Sequence, residues 1–568
     1  MSNTDDKQLD LNQAAEENSA EEALESANVA ERAVYNFEKP AEERKRLFKI
    51  TNLTKYFPLK RAFLSPVQEY VHAVESISLD IYEGETLGLV GESGCGKSTF
   101  GRTILQIYPS TAGSIQYYGA SLGDVDAKYV YDAIKAIPER YSSLHAANDE
   151  LEALVKKVSE LKTQEDVVSE LAKTQELLLE KSRDYEANYA DIVRIAGGLL
   201  VADDLEKVSQ LLLEAYEADV AYCKVKNKIA DLRLQAEADP STKSKNLAKI
   251  DSLEPEMASL EKVKLAKEQV LEDLRESLKD KPRFAELEAG RDEGINLSKL
   301  STKELRPLRQ DIQIIFQDPY SSLDTRMTLG NIIGEGVLAH EIFENNRSEE
   351  YNQYIQNIMQ ECGLAPYFIH RYPHQFSGGQ RQRIGIARAL ALQPKFVVCD
   401  EAVSALDVSI QSQVINLLSS LKDQRNLTYL FITHDLSVVK YISDRIAVMY
   451  LGEVSELASS DKLFEKPLHP YTQALLRAIP RADIESGTQE LSILSGDVPS
   501  AVRPPSGCRF HTRCDYCMEE CKKFEPLLQE VEPDHFVACH LMNMQEEERA
   551  AYMAKKDAEA MERQKTTI

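Results

Sequence analysis

The 568-residue sequence contains no tryptophan, has no apolar run of membrane length, and carries fewer basic than acidic residues. A membrane-spanning helix needs about 20 consecutive apolar residues, so nothing in the sequence predicts a span. The 67 basic and 93 acidic residues give a net charge of -26, which argues against a general nucleic-acid binder. The N-terminus has neither a basic start nor an apolar core, so we expect no secretory signal. The lack of tryptophan has no functional meaning.

The length and a hydrophobic content of 43% predict a globular protein of about two to four domains. Residues 1–30 hold eight acids and one lysine with few large apolar residues. We therefore expect an acidic, disordered tail over residues 1–45. The nine cysteines, without a secretory signal, indicate a reducing compartment, in which clustered thiols hold metal more often than they form disulfides.

The segment Gly91–Thr99, GESGCGKST, fits the pattern G-x-x-x-x-G-K-[ST]. The apolar run 86–90 before it predicts a buried strand, and residues 100–105 after it predict the start of a helix. In this context backbone amides turn onto a triphosphate, Lys97 reaches its β- and γ-phosphates, and Ser98 binds Mg²⁺. The sequence therefore predicts a nucleotide site, with these candidate contacts: Gly91, Ser93, Gly94, Cys95, Gly96, Lys97, Ser98 and Thr99.

Two aromatic residues, Tyr56 and Phe57, lie between predicted strands upstream of this loop. Either ring is a candidate to stack on adenine. Covering the edge of a sheet is nearly as good an explanation for either residue alone.

Residues 122–295 differ in character, being rich in Glu, Lys, Leu and Ala. Leu144, Leu151 and Val158 recur every seven residues, which predicts a coiled-coil seam. Breaks at Gly197–Gly198 and at residues 239–246 predict several helices folded back on one another as an arm. A helix of about 35 residues is roughly 50 Å long. No residue of the arm carries recognisable chemistry. An interaction arm and a solvated helical decoration are equally good interpretations.

Polar and glycine-rich motifs follow the arm at the ends of predicted strands and at the start of a basic helix. They are Gln317, Ser377, Gly378, Gly379, Gln380, Asp400, Glu401, Asp407 and His434. With the phosphate loop, these motifs stand in the order of the ATP-binding cassette ATPases, which the chain resembles. The resemblance implies an α/β fold with a RecA-like core, an antiparallel β subdomain and a helical subdomain. It also implies a sandwich dimer, in which each ATP lies between one subunit's phosphate loop and the other's Ser-Gly-Gly-Gln.

The chemistry of such a site suits these residue types, because phosphoryl transfer to water needs charge neutralisation and a positioned nucleophile. Asp400 at a strand end can hold Mg²⁺, and Glu401 can orient and polarise the attacking water. His434 can hydrogen-bond the γ-phosphate, and Gln317 can contact both the metal and the water. Asp407 joins the expected nucleotide contacts.

Longer strings over 85–99, 316–323, 372–383 and 469–475 resemble the ATPases of oligopeptide/dipeptide importers, in particular the second ATPase of the pair, the F subunit. The resemblance implies a sister ATPase, two transmembrane permeases and, indirectly, an extracytoplasmic solute-binding protein. It places the chain peripherally at the cytoplasmic face of the cell membrane. We expect no nucleic-acid partner, and the resemblance does not extend to the arm, whose partner is unknown.

Four cysteines near the C-terminus, Cys508, Cys514, Cys521 and Cys539, are similar to the [4Fe–4S] segment that ends this subfamily's ATPases. Four-cysteine ligation suits zinc as well, and an unoccupied thiol cluster is a third interpretation. We expect the neighbouring histidines at the surface rather than as ligands: His511, His535 and His540.

The predicted organisation has six parts. They are a tail (1–45), the first cassette part (46–121), the arm (122–295), the second cassette part (296–480), the cysteine region (481–545) and a C-terminal helix (546–568). The alternative function is a soluble cassette ATPase whose coiled-coil arm acts on DNA or ribosomes. It is disfavoured because Gln317 follows the arm instead of preceding it, and because the chain is acidic with a single phosphate loop.

Overall fold

The computed structural model describes residues 44–60, 69–162, 189–238, 243–478 and 496–566, with isolated residues between 170 and 188. The predicted acidic tail lies almost wholly outside the described residues. So do the predicted domain boundary at 480/481 and the last two residues of the chain.

The described strands range from 2 to 13 residues in length. They are β1 (Arg46–Pro58), β2 (Tyr70–Tyr82), β3 (Thr86–Val90), β4 (Ala112–Tyr117), β5 (Ile295–Asn296), β6 (Ile312–Ile315), β7 (Phe396–Asp400), β8 (Thr428–Ile432), β9 (Arg445–Tyr450), β10 (Glu453–Ser459), β11 (Gln529–Glu532) and β12 (His535–Val537). A four-stranded antiparallel sheet has the order β2-β1-β4-β5, and an eight-stranded sheet has the order β11-β12-β10-β9-β3-β8-β7-β6.

Helices cover both sheets and build the arm. They are α1 (Lys97–Ile104), α2 (Leu122–Val125), α3 (Lys128–Lys162), α4 (Ala190–Ala196), α5 (Leu205–Ala238), α6 (Lys243–Leu278), α7 (Phe284–Ala289), α8 (Thr302–Leu308), α9 (Leu329–Ala339), α10 (Glu349–Glu361), α11 (Gly378–Leu390), α12 (Val408–Arg425), α13 (Leu436–Ile442), α14 (Ser460–Glu465), α15 (Pro470–Arg477), α16 (Glu519–Lys523) and α17 (Glu546–Thr566). Among the described helices, none combines the length and apolarity needed to cross a membrane.

The parallel strands β9, β3, β8, β7 and β6 are consecutive in the larger sheet, with β6 at its edge. Every residue of β3, β7 and β8 is buried, as expected for apolar strands that helices cover on both faces. The loops after Val90, Asp400 and Ile432 therefore leave the sheet at the same edge. In open parallel sheets this edge is where ligands bind.

The arm is helical where it is described, and its longest elements are α3, α5 and α6. Ion pairs join Arg233 to Glu254 at 3.1 Å and Lys264 to Asp219 at 2.8 Å. The paired residues have higher numbers on α6 where they have lower numbers on α5, so the two helices run antiparallel and form a hairpin. The base of the arm shares the apolar core of the small sheet, through residues such as Leu199.

The cysteine region is attached to the larger sheet, because β12 pairs antiparallel with β10 and β11 pairs with β12. This pairing adds a segment from near the end of the chain to the sheet that carries the nucleotide loop, with β10 and β9 between β12 and β3.

Candidate nucleotide and hydrolysis site

The segment Gly91–Thr99 joins β3 to α1, as the motif predicts. The Lys97 side chain is buried, and its Nζ donates hydrogen bonds to the carbonyl oxygens of Gly91 at 2.8 Å and Glu92 at 2.9 Å. Gly96 has φ 105°, and a Cβ atom there would lie 2.0 Å from the Ala73 carbonyl oxygen. Only glycine fits this position, so the loop lies directly against β2.

Asp400 ends β7, and its side chain is completely buried. Its Oδ2 accepts hydrogen bonds from Arg102 Nη2 at 2.9 Å and Nε at 3.2 Å. Its Oδ1 is buried and has no hydrogen-bond partner among the described residues. A buried carboxylate oxygen without a donor suits a divalent cation, so Asp400 fits the predicted Mg²⁺ role. Ser98 lies in the first turn of α1, and the Mg²⁺ roles of Ser98 and Gln317 stay predictions.

Arg102 was not among the predicted site residues. Its sequence signal is local, since it lies five positions after Lys97 on α1, the helix that packs beside β7. Arg102 fixes one oxygen of Asp400 and leaves the other oxygen available.

Three predicted residues from different loops meet at Glu401. Gln317 Nε2 donates a hydrogen bond to Glu401 Oε2 at 2.6 Å, and His434 Nδ1 lies 3.7 Å from Oε1. Glu401 has φ 47°, a backbone conformation uncommon for a residue with a side chain. The arrangement places a carboxylate, an amide and an imidazole together at the edge of the sheet next to the nucleotide loop.

The Ser-Gly-Gly-Gln motif starts α11. Ser377 caps the helix, with its Oγ accepting from the Gln380 amide at 3.3 Å. Asp407 likewise caps α12, accepting from the Ile410 amide at 3.0 Å. Among the described residues no hydrogen bond or ion pair joins Ser377–Gln380 to the nucleotide loop.

The two upstream aromatic residues have different neighbours. The Tyr56 hydroxyl donates to Glu75, and the Tyr56 ring lies 4.2 Å from the His72 ring, centroid to centroid. Phe57 meets Tyr108 edge to face at 5.4 Å. Burial acts to raise the pKa of Glu75, but hydrogen bonds from Tyr56, His72 and an arginine outweigh burial and lower that pKa. Tyr56 therefore has a fixed position beside the loop.

The four C-terminal thiols line one small cavity, at Cys508, Cys514, Cys521 and Cys539. Burial raises the pKa of Cys508 and of Cys539 to about 12, and the neighbouring thiols act in the same direction. Backbone hydrogen bonds from Phe510 and Leu541 oppose this effect at the same two thiols. Within the described residues, no three His, Cys, Asp or Glu side chains form a group that could hold a metal ion.

The expectation that His535 lies at the surface is wrong. Its side chain is 1% exposed, and its Nε2 lies 2.7 Å from Glu456 Oε1, because β12 pairs with β10. His511 and His540 are half-buried, and each contacts a backbone carbonyl. His469, which the sequence did not single out, lines the thiol cavity, and burial lowers its pKa to about 4.

The phosphate loop, the buried Asp400 and the group at Glu401 define the site of a cassette ATPase, and comparison with known proteins agrees with this class. The ABC transporter family matches residues 74–195 and 284–404, and the oligopeptide/dipeptide transporter C-terminal region matches residues 455–521. The oligopeptide transport ATP-binding protein AppF of Bacillus subtilis is 51% identical over 250 residues, covering 44% of this chain and 75% of AppF. The oligopeptide transport ATP-binding protein OppF of Haemophilus influenzae is 50% identical over 248 residues, covering 43% of this chain and 74% of OppF. The chain belongs to the ABC transporter ATPases that carry this C-terminal region.

Proposed function

We propose that the chain is the ATP-hydrolysing subunit of an importer for oligopeptides or dipeptides. The observation that carries the proposal is the match of residues 455–521 to the oligopeptide/dipeptide transporter C-terminal region. The cassette motifs alone would suit transporters of many solutes, whereas the C-terminal region indicates an importer of oligopeptides or dipeptides. The 50% and 51% identities to oligopeptide transport ATP-binding proteins support the same conclusion.

Hydrolysis is assigned to the group around Glu401. The Glu401 carboxylate acts as the base that orients and polarises water, and Gln317 holds that carboxylate through a hydrogen bond of 2.6 Å. His434, at the end of the neighbouring strand, contacts the γ-phosphate. Lys97 leaves the loop carbonyls to bind the β- and γ-phosphates, and Tyr56 or Phe57 stacks on adenine.

Mg²⁺ would be held by Ser98, Gln317 and Asp400. The buried, unpartnered Oδ1 of Asp400 supports this assignment. Bound Mg²⁺ supplies charge neutralisation for the phosphoryl group. Arg102 contributes by holding Asp400 in place.

A sister ATPase completes the site. The loop Gly91–Thr99 and the motif Ser377–Gln380 have no hydrogen bond or ion pair between them in the described chain, so each is proposed to face the partner's complementary motif. Ser377 and Asp407 cap α11 and α12, whose first turns meet at Gly379 and Ile410, and both caps are assigned to this face. The heterodimer would act on two permease subunits at the cytoplasmic face of the membrane, with an extracytoplasmic binding protein delivering the peptide.

The thiol cavity is proposed to hold a [4Fe–4S] cluster through Cys508, Cys514, Cys521 and Cys539. Four thiols lining one cavity support it, since each thiolate of such a cluster binds a different iron and the thiols need not converge on one ion. The geometry gives no support to a single zinc ion, because no three described ligand side chains form such a group. Iron and acid-labile sulfide measured after anaerobic purification test the assignment, and metal-free or zinc-loaded protein contradicts it.

The arm is proposed as a coiled-coil contact for a permease, the sister ATPase or a cytosolic regulator. Its support is the length of α3, α5 and α6 and the hairpin of α5 with α6. Deletion of residues 124–293 tests this role. Unchanged assembly, transport and regulation would identify the arm as decoration.

Copurification tests the main proposal against the DNA or ribosome alternative. Membranes solubilised in detergent and captured through a tag on this chain should yield two hydrophobic permeases and a second ATPase. Nucleic acid or ribosomes without permeases would contradict the proposal.

A further inference from the structure

Two buried arginines join the cysteine-rich segment, residues 496–545, to the nucleotide loop. Arg509 directly follows Cys508, and Arg513 directly precedes Cys514. Their side chains are 8% and 5% exposed. A buried guanidinium needs partners for its charge and its donors, so the partners of these two side chains reveal their roles.

Arg513 holds the second residue of the nucleotide loop. Its Nη1 donates to Glu92 Oε2 at 2.7 Å and its Nη2 donates to Oε1 at 3.0 Å, so two parallel hydrogen bonds join the side chains. The backbone of Glu92 is fixed as well. Its amide donates to the Tyr471 hydroxyl at 3.0 Å, and its carbonyl accepts from Lys97 Nζ at 2.9 Å. Arg513 thus acts on the residue that contacts the phosphate-binding lysine.

Arg509 holds the other side of the loop. Its Nη1 donates to the carbonyl of Leu451, in a turn whose next amide donates to the Cys95 carbonyl at 2.8 Å. Its Nη2 donates to Glu75 Oε2 at 3.0 Å, and the Glu75 carboxylate also accepts from the Tyr56 hydroxyl. Arg509 therefore acts on both the phosphate loop and the candidate adenine-stacking ring.

We propose that Arg509 and Arg513 are positioning residues for nucleotide binding, and that the cysteine-rich segment clamps the nucleotide loop through them. Both arginines neighbour thiols that line one cavity, so their positions depend on the order of that segment. The order of the segment and the affinity for nucleotide are then linked, and linkage acts equally in both directions. The inference rests on the proposed nucleotide site and extends it by giving the cysteine-rich segment a task there.

The affinity of the full-length chain for a non-hydrolysable ATP analogue with Mg²⁺ tests the clamp. Arg513→Gln removes both parallel hydrogen bonds, and we expect Kd to rise about fivefold or more. Arg513→Lys keeps the charge without the planar fork, so its Kd should lie between those of Arg513→Gln and the wild type. Arg503→Gln is the matched control, because Arg503 lies in the same segment with its side chain 83% exposed. Its Kd should equal that of the wild type.

Glu92→Gln weakens the same contact from the loop side, because the amide keeps one accepting oxygen and no charge, and it leaves the cysteine-rich segment intact. We expect it to weaken binding, and its effect combined with Arg513→Gln should be smaller than the product of the single effects. This variant also decides the question where Arg513→Gln does not fold. An unchanged Kd in Glu92→Gln, or in folded Arg513→Gln, overturns the clamp and leaves the nucleotide site standing. A wild-type chain that does not bind the analogue when assembled with its sister ATPase overturns the proposed function as well.

Discussion

Hydrolysis should depend on the charge of Glu401 far more than nucleotide binding does. In Glu401→Gln the side chain keeps its size, and its amide oxygen can still accept the hydrogen bond that Gln317 donates across 2.6 Å. The backbone at φ 47° is also unaffected by the substitution. The change therefore removes the basic carboxylate and little else.

A positioned general base contributes about 10²- to 10⁴-fold to a rate. At about 1.4 kcal/mol for each factor of ten, loss of Glu401 should cost about 3–5 kcal/mol of transition-state stabilisation. The assay is phosphate release by the assembled complex at saturating ATP, with the ATP Kd measured on the same preparation. Glu349→Gln, an exposed carboxylate at the start of α10, is the control. Turnover of Glu401→Gln within about twofold of the wild type would refute the assignment of the base.

Three further predictions concern the metal, the acid sensitivity and the packing of the site. Asp400→Asn should raise the Mg²⁺ concentration for half-maximal hydrolysis by at least about tenfold, and an unchanged Mg²⁺ titration would contradict its role. Burial lowers the pKa of His469 from 6.5 to about 4, so the unfolded chain alone gains this proton as pH falls. Between pH 6.5 and about 4 the free energy of unfolding should therefore fall by about 1.4 kcal/mol per pH unit, about 3 kcal/mol in all. Urea denaturation at several pH values measures this fall, which should be less steep in His469→Asn. Gly379→Ala should lower the free energy of unfolding by about 1–3 kcal/mol, since the new Cβ would lie 2.3 Å from a methyl group of Ile410. Gly378→Ala is the control, because its nearest neighbour would be 3.8 Å away, and an equal loss of stability in both variants would refute the prediction.

The strand, loop and helix around Lys97 could be predicted because the motif is local and each glycine has a fixed spacing. Asp400 and Glu401 could also be placed, since a buried apolar strand leads directly to them. The meeting of Glu401 with Gln317, 84 residues away, follows only from the order of strands in the parallel sheet.

Contacts between residues far apart in the chain could not be predicted, because they produce no local sequence pattern. Arg513 and Glu92 are 421 residues apart, and neither residue type is unusual in its local sequence. The burial of His535 was missed for the same reason, because it results from the pairing of β12 with β10. In the arm, heptad spacing and the break at residues 239–246 indicate helices that fold back, whereas the residue pairs between α5 and α6 required the structure.

Uptake of labelled peptide into membrane vesicles tests the central proposal most directly. The vesicles would carry this chain with its permeases and sister ATPase, the solute-binding protein and ATP. The account predicts ATP-dependent accumulation of an oligopeptide or dipeptide, lost when this chain carries Glu401→Gln. ATP hydrolysis that continues without accumulation of either class of peptide would contradict it.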